Sequence, residues 1–482
     1  MNNKYSPKKK DEFLERYYTD EKTQWIVIII GSALILAMAL VIIIINATTT
    51  NKIYENEEIL EGYIPLNSMT AKYKVENSSE EVLLFNSSYI KRIYLQKIDG
   101  NPLENITNEY AFDSTGEHTM KIYFKKPLKS TEELFLNCEN LIEVNLTNIT
   151  SERIITTADM FHGCSNLQNV EISKFDSSSL KNMSNMFYGC SSLTSVNLIA
   201  FNGPELVDIS GLFMKCTNLT EVRLRDMSTR NVINMSNLFY ECESLNTTEF
   251  FGFSTYNTID MSNMFYGCSN LIEIEQNFIT SNVVHMNGMF DGCTNLVNIS
   301  VDNFDTKNVQ DMFFMFADCW SLTSIDISNF NTINVTDMFG MFKNCYNLEY
   351  MNLSNLDLLN VYDMGDMFGN CSSLKDICLD NLYPDNLVYM AGMFENCSSL
   401  DNITMTNFSS SNLEDISYLF DGCINLSYID LSSFNTSKVE NDEYIFRNIA
   451  DNGKILYNSS IFNNTLLSYL PDSWEKVDIS AQ

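Results

Sequence analysis

The stretch "MSNMFYGCSNL" (261–271) places Met261, Met264 and Cys268 within eight positions. Thioether and thiolate sulfur are soft donors for copper or zinc, and an activated thiol is a nucleophile. A second set with donor chemistry is Asp208, Asp260, Asp311, Asp337, Asp363 and Asp415, with Asn182 and Asn234 at equivalent places. Such a column could gather a hard cation such as calcium, or cap the backbone N–H groups of a following helical turn. His118, His162 and His285 are the only histidines. No Gly-rich phosphate loop, G-x-S-x-G elbow or H-E-x-x-H is present.

Spacing decides among these readings. Twelve of the 13 cysteines fall at 138, 164, 190, 216, 242, 268, 293, 319, 345, 371, 397 and 423. Every step in that series is 26 except one of 25. A fixed period of this size is the signature of a solenoid. A metal box has a defined ligand number, not twelve equivalent positions, so the Met, Phe and Cys residues are read as buried ladders. Disulfides between neighbouring units would break the equivalence, and reduced thiols, small buried hydrophobes, are expected. The Asp column is read as capping, with calcium as the alternative. His162 and His285 belong to the first and sixth units and cannot share a site. An enzyme is not expected. The odd thiol, Cys378, follows Cys371 at an outward position, where it either links a partner or is merely small.

Each unit reads Cys-x-x-Leu-x-x-φ-x-φ-x-x-φ, a polar stretch, then φ-x-x-Met-x-x-Met-Phe-x-x, where φ is apolar. "LTSVNL" alternates as a strand does, whereas Met261, Met264 and Phe265 at i, i+3 and i+4 predict a short helical turn. Neither element can bury its apolar face alone; stacked, they form one core under a parallel sheet. Outward strand positions then line one face, with Glu171, Arg223, Glu249, Glu275, Asp326, Asn352 and Asp430 in one column and Tyr350 and Tyr428 one pleat away. Aromatic anchors in a polar, acidic field suit recognition of a protein or a glycan.

At this point the repeat resembles that of BspA-like leucine-rich-repeat surface proteins, in a Met-Phe-rich variant with segments such as "NFDTKNVQDMFFMFADC" and "NFNTINVTDMFGMFKNC". The resemblance implies an α/β leucine-rich-repeat solenoid of about twelve 26-residue units, displayed on a cell surface, without catalysis, and engaged in adhesion. The sequence departs from ordinary leucine-rich repeats by lacking an Asn after the strand; Phe175, Phe201, Phe304 and Phe330 hold that place.

The remaining sequence frames the array. Trp25 to Ile45 are 21 uncharged, apolar-dominated residues, about 31 Å as a helix, enough to span a bilayer. Six basic residues precede this span, and the first after it is Lys52. The positive-inside rule places 1–24 in the cytoplasm and the rest outside, as a single-pass protein of the cell membrane. Beyond residue 46 there are 24 Lys and Arg against 57 Asp and Glu, so the exported part is strongly acidic. Nucleic acid is therefore not an expected partner. The expected organisation is a cytoplasmic tail 1–24, a transmembrane anchor 25–45, a linker 46–58 and a β-sandwich-like module 59–129. The solenoid 130–448 follows, then a cap 449–482 in which Leu470 and Trp474 cover the last core layer. The shorter unit, 268–292, reads as a one-residue deletion that bends the rod. The expected role is recognition of an extracellular protein or glycan through the rod; a structural coat without a specific ligand is the alternative.

Overall fold

The structure is a computed structural model that describes residues 67–480, apart from 150, 173–175, 199–200, 202, 225–226, 250–252, 275–277 and 409–410. The expected tail, anchor and linker lie outside the described residues. Among the described residues no helix is long and apolar enough to cross a membrane.

The repeat folds without the expected helical turn, and the backbone shows why. Two positions in every unit, one and five before the cysteine, have positive φ: Asn185 (53°) and Gly189 (70°) before Cys190, Phe314 (54°) and Asp318 (53°) before Cys319. A left-handed residue ends a right-handed turn, so each unit makes successive tight turns with the positive φ at the third position, as type II geometry requires. Alternate amides then point in two directions. Met186, Tyr188 and Cys190 donate three positions back, to Met183, Asn185 and Phe187. Met183, Asn185, Phe187 and Gly189 donate instead to Asp208, Ser210, Leu212 and Met214 of the next unit, at 2.8–2.9 Å. The spacing i, i+3, i+4 serves these stacked turns as well as it serves a helix. Among the described residues the only helices are two short 3₁₀ segments, Ser87–Arg92 and Asn464–Tyr469.

Stacking the turns builds the ladders. Thirteen phenylalanines from Phe135 to Phe446 lie ring over ring with centroids 5.4–5.9 Å apart and planes within 16°. All are buried, as are the paired methionines such as Met261 and Met264. Each buried Phe contributes about 1.5–3 kcal/mol of transfer free energy, with a further ~0.5–1.5 kcal/mol from an aromatic pair. The 13 cysteines are free thiols, and the 12 ladder members are buried. Eleven of them donate S–H to the carbonyl of the ladder Phe in the preceding unit, at 3.0–3.2 Å.

Among the described residues the strands number 21 in chain order. β1 (Ser68–Val75), β2 (Glu81–Leu83), β3 (Ile93–Ile98), β4 (Asn101–Pro102), β5 (Glu109–Ala111), β6 (Gly116–Phe124) and β7 (Leu128–Ser130) precede the array. β8 (Leu141–Asn145), β9 (Ser151–Thr156), β10 (Asn169–Glu171), β11 (Ser195–Asn197), β12 (Glu221–Arg223), β13 (Thr247–Glu249), β14 (Glu273–Ile274) and β15 (Asn298–Ile299) follow. β16 (Tyr350–Asn352), β17 (Asp376–Cys378), β18 (Asn402–Thr404), β19 (Tyr428–Leu431), β20 (Lys454–Tyr457) and β21 (Glu475–Asp478) complete the set. The repeat strands pair in parallel over a few positions at a time, in the register the period demands, for example Ser195↔Glu221↔Thr247. One unit departs: residues 322–327 form no strand.

The missing residue of the shorter unit falls between Ile274 and Phe278. Ile274 pairs with Ile299, one position short of the usual spacing, whereas Phe278 packs at 6.3 Å from Phe304, at the full spacing. The Phe ladder passes through undisturbed, with Phe265 and Phe290 at 5.7 Å and 4°.

Both ends extend the sheet instead of merely covering it. The first sheet runs β10-β8-β1-β6-β3-β4, so the strands before the array pair antiparallel with its first unit, Lys72 opposite Glu143. β2 and β5 form a separate ribbon. At the other end Phe446 and Ile449 occupy the Phe and Cys places of a thirteenth turn, and β20 and β21 add to β19 in parallel. Leu470 and Trp474 are buried there, the indole Nε1 donating to Ala450 O at 2.8 Å.

Candidate functional site

In strands such as β11 and β16 the residue six after the cysteine, Val196 or Met351, is buried, and the residues five and seven after it face outward. The structure places the predicted residues along this face unequally. Glu171 is exposed and accepts a hydrogen bond from Asn145 Nδ2. Arg223 and Glu249 stand side by side in register on β12 and β13. Tyr350 is 50% exposed and Asn352 is exposed, its Oδ1 accepting the Ser354 amide at 3.0 Å. Tyr428 is half-buried opposite Asn402. Glu275 lies outside the described residues.

Two of the predicted residues do not stand exposed on a strand. Asp326 is exposed but stands in the unit without a strand; its Oδ1 accepts the Ser328 amide at 2.9 Å, and the Ser328 hydroxyl and amide hold its carboxyl below the usual range. Asp430 is only 8% exposed and so is no surface group. Thr404 and Leu456 flank it in register, and its carboxylate turns to the Ser432 amide at 3.0 Å.

Sequence reasoning missed how far the face extends. Because β1 joins β8, the row Lys97–Lys121–Thr70–Asn145–Glu171 crosses from the N-terminal strands onto the array. Lys72 Nζ meets Glu143 at 2.7 Å. A shallow groove of about 470 Å³ follows, lined by Glu143, Asn169, Glu171, Ser195, Asn197 and Glu221. The face thus begins basic and becomes acidic.

The polar column has a backbone role. The Oδ1 atoms of Asn182, Asp208, Asn234, Asp260, Asp337, Asp363 and Asp415 accept the amide two positions on, at 2.8–3.1 Å. They cap the stacked turns as side chains cap a helix. His285 and Tyr389 occupy the same column. Burial pushes the carboxyls of Asp208, Asp337 and Asp363 above their ordinary range. His285 Nδ1 lies 2.7 Å from Asp311 Oδ2, and this bond with the Asp311 charge raises the imidazole pKa against the opposing effect of burial. Among the described residues no group of three or more His, Cys, Asp or Glu side chains is arranged to hold a metal ion. Burial also raises the thiol pKa along the cysteine ladder, to about 12 for Cys423. The ladder is therefore protonated and unreactive at neutral pH.

A second polar ladder, beyond the readings drawn from the sequence, runs along the array. Asn231, Asn257, Asn282, Asn308, Asn334, Asn360, Asn386 and Asn412, at one fixed place ahead of the last eight ladder cysteines, donate Nδ2 to a carbonyl of the preceding unit at 2.6–2.9 Å. The signal was the recurring Asn-Val or Asn-Leu ahead of the Met pair. The array does carry an asparagine ladder, displaced from the place after the strand where the Phe residues stand.

A family model described as "Mycoplasma protein of unknown function, DUF285" matches residues 129–251, 259–382 and 378–464. No curated protein matches the chain. Among solved structures, the chain is similar to a TLR13–ssRNA13 complex at 16% identity and a TM-score of 0.22, over 61% of this chain and 46% of that one. It is also similar to the functional domain of InlJ from Listeria monocytogenes, which includes a cysteine ladder, at 12% identity and a TM-score of 0.19, over 68% of this chain and 66% of that one. The chain thus spans less than two thirds of either.

Proposed function

Because the chain belongs to the DUF285 family, whose description assigns no activity, we propose its function from its own surface: a BspA-like recognition protein that binds an extracellular protein or glycan through the strand face of its repeat array. Residues 25–45 anchor it in the cell membrane, residues 1–24 remain in the cytoplasm, and the module 59–129, the solenoid 130–448 and the cap 449–482 face outward. The observation that carries this reading is the contrast between the two sides of each strand. One side carries Val, Ile or Met in eleven of the twelve units, whereas the other changes from Glu143 through Ser195 and Tyr350 to Asn402. A core dictates repetition; a surface that varies along a regular scaffold is free to be shaped by a partner.

The test is binding of cells, matrix proteins and glycans by the full-length chain in detergent micelles, against an unrelated acidic repeat protein. Saturable binding that weakens when Glu171, Glu221 and Tyr350 are replaced together by Ser supports the reading. Binding no stronger than that of the acidic control overturns it.

A further inference from the structure

A repeat array is its own alignment: a position that departs from its column marks a unit put to separate use. The residue after the cysteine is small and polar in most units, Ser165, Ser191, Ser372 and Ser398 among them. In two adjacent units it is Trp320 and Tyr346, 46% and 39% exposed, with ring centroids 6.0 Å apart and planes tilted by 52°. The indole is held in place: Nε1 donates to Asp318 Oδ1 at 3.1 Å, and the same oxygen accepts Asn344 Nδ2 at 2.9 Å. The indole N–H is thereby engaged within the chain, and the ring is presented without a rotamer to settle. Tyr350, half exposed, belongs to the same unit as Tyr346.

We propose that Trp320 and Tyr346 form a stacking platform for the neutral pyranose rings of a glycan, a reading that deepens the recognition role and rests on it. A pyranose has an apolar C–H face and a rim of hydroxyls. The first matches an exposed aromatic face, and the second matches Thr323 and Ser324, both exposed in the unit without a strand. Charge selects the class. The chain carries a net charge of −32, which repels sialylated and sulfated glycans. Asp318 is engaged as described, and Glu349, in the unit of Tyr346, pairs with Lys375 at 2.9 Å, so neither needs a cation from the partner.

The experiment titrates the full-length chain in micelles with cellohexaose, chitohexaose and mannohexaose, and with sialyllactose and heptaarginine as charged probes. Calorimetry and tryptophan fluorescence are the readouts. The repeat supplies safe variants, since Trp320→Ser and Tyr346→Ser install the residue that other units carry there, Ser269 and Ser372 for example; circular dichroism checks that they fold. Saturable binding of a neutral oligosaccharide, weakened about tenfold or more in the double variant, is the expected result. The platform is overturned if no neutral oligosaccharide binds, if the double variant binds as well as the parent, or if only heptaarginine binds. Parent and double variant attaching equally to cells or matrix would overturn the platform alone; neither attaching to anything would overturn the recognition role with it.

Discussion

Replacing Asp291 by Asn removes a group that the fold protonates against its nature. Asp291 stands two positions before Cys293, the place taken by Tyr240 and Tyr266 in the preceding units, whose rings stack at 4.4 Å. Burial first, and the Asp318 charge second, push its carboxyl from 3.8 up to about 7. Between those values the folded chain holds a proton that the unfolded chain has released, so stability is full below pH 3.8 and falls as pH rises through about 7. A displacement of that size corresponds to about 4 kcal/mol, which partial solvent access reduces to about 2 kcal/mol. Asn cannot ionise and carries no such slope. Urea melts at pH 4, 6 and 8 should show parent and Asp291→Asn alike at pH 4 and the variant more stable by about 2 kcal/mol at pH 8. Parallel pH profiles, or a variant no more stable at pH 8, would show that Asp291 is solvated and that the column is not dry.

Other perturbations test separate parts of the fold. Phe290→Ala interrupts the ring ladder between neighbours at 5.7 and 5.4 Å and should lose about 3–5 kcal/mol, with the two halves of the array melting separately in calorimetry; a single transition shifted by under about 1 kcal/mol would contradict it. His285, raised by Asp311, contributes stability that is complete below its ordinary value of 6.5 and is lost as pH rises through the folded value, so His285→Gln should flatten the melting profile there while Asn334→Ala leaves it unchanged. A native thiol titration with an aromatic disulfide should find Cys378, the one half-buried cysteine, and release the twelve ladder thiols only on unfolding. Rapid labelling of several thiols in the folded chain would mean that the ladder opens.

The buried ladders were legible because burial imposes identity at one residue per turn: Phe, Cys, Leu and the Met pair recur where side chains meet their copies in the next unit. The spacing predicts a helical turn that does not form, because spacing reports which residues share a face, not how the backbone runs between them. The discriminating signal lay at Cys minus one, where Asn137, Gly163, Gly189, Gly267, Gly292, Asn344, Asn370 and Asn396 are the residue types that tolerate positive φ. Asp326 and Asp430 show where the repeat stops predicting its surface. Outward positions depend on whether a strand forms and on what flanks it, and neither is encoded in the period. The continuation of the sheet from β8 into β1 depends on antiparallel pairing between segments remote in the chain, Lys72 with Glu143, which no local pattern announces.

The alternating amides also decide how the array bears a load. Bonds such as those from Met183, Asn185, Phe187 and Gly189 to the next unit run along the stacking direction. Tension applied at the C-terminal end is therefore carried by one seam at a time. Each seam that parts frees one turn of the repeat, roughly 90 Å of slack, before the next is strained. An array built this way lengthens in steps, because the turns still folded are untouched by the one that has yielded.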